Sequence, residues 1–119
     1  MELPKDLVAA SSIPLILSIL KQNDSYGYEI IKKVKELSAS QINWSDGMLY
    51  PVLHRLEKQG FIKSYWQKAG QERKRKYYTI NENGQTELAK MKKQWQMVNN
   101  TLNQAWKLDF IFLTVINTY

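Results

Sequence analysis

A chain of 119 residues has room for one domain with a real core and not for two independent ones. Hydrophobic residues at 44% and charged residues at 24% form an ordinary globular composition, which excludes disorder over most of the length. Seventeen Lys and Arg against eleven Asp and Glu leave a net charge of +6, so a polyanion is the first partner to consider, and the lack of cysteine excludes disulfides and thiolate metal sites.

From Leu3 to Leu20 the apolar positions are too dense for a one-sided surface helix, which predicts a largely buried first helix. Pro14 interrupts its hydrogen-bond ladder, and Ser11 or Ser12 can cap a restart, so a kink or break is expected near Ser12. Asp24 or Ser25 then caps a second helix from about Tyr26 to Leu37, with Ile30, Ile31, Val34 and Leu37 on one face. After a polar link, Ser45 or Asp46 caps a third helix that ends at Gln59 with Gly60 just beyond it. Leu49, Leu53 and Leu56 mark its inner face, and Gly47, Tyr50, Pro51, His54 and Lys58 point the other way. Pro51 should kink this helix. Phe61 to Gln67 and Arg75 to Ile80 are β-prone and flank Gly70, which reads as one antiparallel hairpin whose basic tip is softened by Gln71 and Glu72. Asn81 to Gly84 caps a long helix running to at least Trp106. Its stripe of Leu88, Met91, Trp95, Val98, Leu102 and Ala105, spaced alternately 3 and 4, is a heptad seam that asks for another helix. The apolar tail from Lys107 to Tyr119 extends this seam, packs on the first helix or stays loose.

The fold class is therefore mainly α with a small antiparallel β-hairpin: a winged helix-turn-helix followed by a long C-terminal dimerisation helix. Residues 1–81 form the winged part and 82–119 the dimerisation helix and tail, in one folding unit. A recognition helix must present its outward N-terminal face to base edges in a groove about 12 Å wide, while a flanking basic element holds phosphates. The third helix and the hairpin meet both needs. Ser45, Gly47, Met48, Tyr50, Pro51, His54 and Arg55 are the candidate DNA contacts from the helix, and Arg73, Lys74 and Arg75 those from the wing. Two other readings stand beside these: the basic run as a charge-guarded edge strand, and Ser45 as a cap alone.

A single His, no Cys, no P-loop and no Ser-His-acid set argue against an enzyme, and no cofactor or metal is implied. The N-terminus lacks the pattern of a signal peptide, and Ile13 to Leu20 falls short of the ~20 residues that span a bilayer. A cytoplasmic protein without a membrane segment is expected. The rival to DNA binding is a winged-helix protein-interaction module.

Three blocks also carry a resemblance. Tyr26 to Ile30, then Gly47 to Gly60 with its Leu-Tyr-Pro and Leu-x-Arg-Leu-Glu, and then Arg75 to Gly84, resemble the PadR family of bacterial regulators over roughly residues 5 to 106. The resemblance implies a repressor, a homodimer through the C-terminal helices, a pseudo-palindromic operator in double-stranded DNA, and release by an inducer. Met48 stands where the family usually has Thr or Ser. In members that resemble multidrug sensors an aromatic near Trp95 stacks flat ligands at the dimer interface, so Trp95 is read either as contact for a small aromatic effector or as a bulky seam residue.

Overall fold

The computed structural model describes residues 2–68, 70 and 73–118, with 110–118 as backbone only. Gln71, Glu72 and the side chains of the apolar tail beyond Asp109 lie outside the described residues. Seven elements follow in chain order: α1 (Lys5–Gln22), β1 (Ser25–Tyr26), α2 (Gly27–Leu37), α3 (Asp46–Lys58), β2 (Ile62–Lys68), β3 (Lys74–Ile80) and α4 (Glu82–Thr118). No described helix is long and apolar enough to cross a membrane.

The chain divides into two compact units, Met1–Leu88 and Ala89–Tyr119. The first two turns of α4 therefore belong with the winged part, and the division falls after Leu88 where the sequence suggested 81. In the first unit Ile16, Leu17 and Leu20 of α1 meet Ile30 and Val34 of α2, Leu49, Leu53 and Leu56 of α3, and Ile62, Tyr78 and Leu88; each of these is at most 3% exposed. The 3 and 4 spacings of these leucines and isoleucines are what place them on single helix faces.

α1 departs from expectation twice. It runs unbroken through Pro14, and only its second half is buried, from Ser12 onward, while Leu7 stays half exposed. Proline removes one bond, to the Ala10 carbonyl, and Ala10 is exposed, so water can replace it. Ser11 and Ser12 do not cap a restart: their hydroxyls donate to the Val8 and Ala9 carbonyls, each at 2.8 Å. α3 likewise continues through Pro51 without a break, and the freed Gly47 carbonyl belongs to an exposed residue.

Ser25 is not a helix cap either. It lies in β1, its hydroxyl donates to the Asn23 carbonyl, and the sheet has three strands in the order β1-β3-β2, all antiparallel. Ser25 pairs with Tyr78 and Tyr26 with Tyr77, so the residues before α2 are tied to the wing. Tyr65 of β2 tightens the same corner, stacking on Tyr77 and donating its hydroxyl to Asp24 at 2.6 Å.

That hydrogen bond raises the Tyr65 phenol to about 12, chiefly because the Asp24 carboxylate accepts its proton. The folded chain thus keeps this proton where the unfolded chain, with an ordinary phenol near 10, loses it. The stabilisation is fully present below pH 10 and disappears as pH climbs toward 12. A spectroscopic titration of tyrosinate should show a late-ionising phenol, and Tyr65→Phe should remove it; an unchanged titration in Tyr65→Phe would assign the late proton elsewhere.

Where α3 ends, Gly60 takes a φ of 81°, the left-handed conformation open to glycine, and the Gly60 and Phe61 amides donate to the Glu57 and Leu56 carbonyls. Asn81 then sets the start of α4. Its Nδ2 donates to the Gly60 carbonyl at 2.7 Å, and its Oδ1 accepts from the Gly84 amide at 3.0 Å. Gly84 is buried with its α-carbon directly against the Phe61 carbonyl.

Candidate nucleic-acid interface

α3 begins where Ser45, in extended conformation, accepts a hydrogen bond from the Met48 amide through its hydroxyl at 3.3 Å. Ser45 thus caps the helix as an acceptor, a bond that does not use its O–H donor. With Leu49, Leu53 and Leu56 turned inward, a 100° step per residue puts Gly47, Pro51, His54 and Lys58 on the outward face, and all four are exposed. Tyr50 leaves one flank of this face and Met48 with Arg55 the other.

The two flanks have different surroundings. Tyr50 enters a cleft of about 650 Å³ lined by Tyr26 and Gly27, by Tyr28 and Trp66, and by the wing residues Arg73 to Lys76. Met48 and Arg55 instead border a smaller, mostly apolar pocket of about 210 Å³ against α1, with Trp44 and Val52 among its walls. The structure therefore joins Tyr50 to the basic wing, and it sets Met48 and Arg55 on the far side of the outward face.

Gly27 positions Tyr50. A β-carbon at Gly27 would collide with the Tyr50 hydroxyl and lie 2.9 Å from its Cζ. The clash is with the end of a half-exposed side chain, so the fold can yield by moving the ring. Gly27→Ala should therefore leave the melting temperature within a few degrees of wild type while weakening DNA binding several-fold, measured by fluorescence anisotropy. A large loss of stability would mean that the ring has nowhere to go.

The wing concentrates positive charge at an energetic cost. Lys68 sits directly opposite Lys74 in the β2–β3 register, and like charges so placed destabilise a hairpin. The four consecutive cations do not share one role. The Arg75 guanidinium lies 4.4 Å from the centre of the Tyr26 ring, and the residue is half-buried, while Lys74 and Arg73 are exposed. Lys76 alternates with Arg75 to the opposite face of the strand, with its ammonium 5.6 Å from the Tyr78 ring. Burial of Tyr78 raises its own hydroxyl, with smaller contributions from Tyr50 and Glu57.

By sequence Lys76 is one of four consecutive wing cations, of which about two can meet a DNA backbone, and Trp66 reads as a packing residue, whereas it is 65% exposed at this cleft; Tyr28 and Gly27 are not singled out for it. Strand alternation across a known register would have selected Trp66 and Lys76, but the register depends on the turn length. The pairing of β1 with β3, which draws Gly27 and Tyr28 in, has no local signal.

A family model described as transcriptional regulator PadR-like matches residues 16–90. The chain belongs to the PadR family. Its PadR match covers α2, α3, the wing and the first turns of α4. A transcriptional regulator from Clostridium thermocellum is 32% identical, with a TM-score of 0.77 over 86% of this chain and 96% of that one. A PadR family transcription regulator from Clostridium difficile is 36% identical, with a TM-score of 0.71 over 79% and 96%. Among curated relatives, the negative transcriptional regulator PadR of Bacillus subtilis is 26% identical over 102 residues, 86% of this chain and 56% of that protein. The chain thus spans little more than half of that relative. PadR membership makes this a protein of a transcription-regulator family rather than an enzyme family, with the winged helix and long C-terminal helix of its structural neighbours.

Proposed function

We propose that this PadR-family chain is a repressor that binds double-stranded DNA in the cytoplasm as a homodimer, at a pseudo-palindromic operator. One observation carries the reading: Tyr50, at one flank of the exposed face of α3, lines a single cleft together with the cations of the wing. A helix for base edges beside a basic element for phosphates is what groove recognition requires. Gly47, Pro51 and His54 face the bases, and Tyr50 with Arg73 and Lys74 hold the backbone. Ser45 supports them by capping the helix, and Arg55, Met48 and Arg75 act at the margins.

The second unit supplies the pairing surface. Trp95, Val98 and Leu102 are 38%, 51% and 43% exposed in the single chain, an unusual row of large apolar side chains on one helix face. Leu88, expected in the same seam, is 1% exposed and already buried within its own chain. The seam open to a partner therefore runs from Met91 through Trp95, Val98 and Leu102 to Ala105. Paired there, two chains set their α3 helices about 34 Å apart, one turn of DNA. Trp95, central in this row, is the contact for a small aromatic effector that releases the DNA.

Sedimentation equilibrium and a gel-shift titration on fragments of the chain's own promoter region test the proposal. A dimer that binds with a steep salt dependence is the expected result. A monomer at micromolar concentration sinks the pairing. Failure to bind at ~50 mM salt would favour a protein-interaction module in place of a DNA reader.

A further inference from the structure

The cleft between the start of α2 and the wing holds two large aromatic side chains that the fold does not use. Trp66 is 65% exposed and Tyr28 67%. Alternation along β2 puts Ile62, Ser64 and Trp66 on one face. Ile62 is buried in the core, and the Ser64 hydroxyl donates to Glu57 of α3, so this face is turned toward α3. Trp66 is the next residue on it, past the end of the core. Its cross-strand partner is Lys76, which lines the same cleft with Lys74. The arrangement is an apolar ring on each side of the cleft with cations between them.

We propose that this cleft receives one sugar–phosphate strand of the duplex, with Trp66 and Tyr28 against deoxyribose rings and Lys74 and Lys76 on the phosphates. The inference rests on the DNA-binding reading and adds the two aromatics to it. Charge complementarity selects the occupant: four consecutive cations at the rim suit a polyanion. A DNA strand alternates charged phosphates with flat, apolar sugar faces, which matches aromatic and cationic side chains interleaved at one cleft. Exposed on a free chain, an indole and a phenol cost hydration that sugar contact recovers.

Trp66→Ala and Tyr28→Ala, measured by anisotropy with an operator fragment over a range of salt, separate this role from charge. Each should weaken binding about tenfold, the scale of taking one apolar ring face out of water against the sugars. The log–log salt slope should stay at the wild-type value, because neither side chain neutralises a phosphate. Trp66→Phe should restore most of the affinity, and DNA should change the tryptophan emission of wild type more than that of Trp66→Phe. Both side chains are exposed, and equal melting temperatures will show that the variants fold. Wild-type affinity in both alanine variants overturns the inference and leaves DNA binding intact, as does a slope that falls with them. A wild-type chain that binds no DNA removes both readings together.

Discussion

Replacing Arg73, Lys74 and Lys76 together by alanine is expected to lower DNA affinity by more than about tenfold at 50 mM salt and to flatten its salt dependence. Each lost phosphate contact removes roughly 0.9 from the log–log slope, so three contacts remove at most about 2.7. The loss should be nearly equal for operator and unrelated DNA, since phosphates carry no sequence information. Stability should hold or rise slightly, because Lys74 stands opposite Lys68 and its removal relieves like-charge repulsion. Circular dichroism melting and anisotropy titrations at three or more salt concentrations provide the check. An unchanged slope, or a loss confined to the operator, would show that the wing does not hold the backbone.

Gly84→Ala should be the most damaging of the single substitutions considered. A β-carbon there would overlap the Phe61 carbonyl oxygen and lie 2.7 Å from Cγ1 of Ile80. The first obstacle is backbone, fixed by the helix C-terminus on one side and by its own bond from the Asn81 amide on the other. Relief would require α4 to move away from the hairpin, breaking the Asn81 contacts and uncovering Leu88. The cost is about 3 kcal/mol, at the upper end for added volume in a packed site. For a unit of this size it lowers the melting temperature by roughly 12–24 °C. Gly47→Ala is the control. Only the Ser45 hydroxyl lies near its β-carbon, at 3.8 Å, so stability should change by less than about 1 kcal/mol. Equal melting temperatures for the two variants would mean that Gly84 is not the pinch point.

Much of this molecule can be read along the chain. The leucines of α3 repeat at helical spacing, Gly60 follows the last turn, and Asn81 stands before an acidic residue at the start of α4. These are local rules of torsion and periodicity, and they act over a few residues, so every element except β1 appears at nearly its predicted place. The hairpin was legible for the same reason. The expected break in α1 was not met because the loss of one exposed hydrogen bond is smaller than what burial of Ile16, Leu17 and Leu20 contributes to keeping the helix continuous.

What sequence determined by itself is the four helices and the hairpin, their order, the outward polar face of α3 and the run of cations that follows it, since all of these depend on neighbours within about two turns. Tertiary structure alone decided which of them meet. It paired Ser25 and Tyr26 with Tyr78 and Tyr77, drew Gly27 under Tyr50, turned Trp66 and Lys76 into the cleft, and put Leu88, expected in the α4 stripe, into the core. The physical reason is that strand pairing and close packing join residues distant in the chain, and no periodicity or propensity along a sequence records which distant surfaces will be matched.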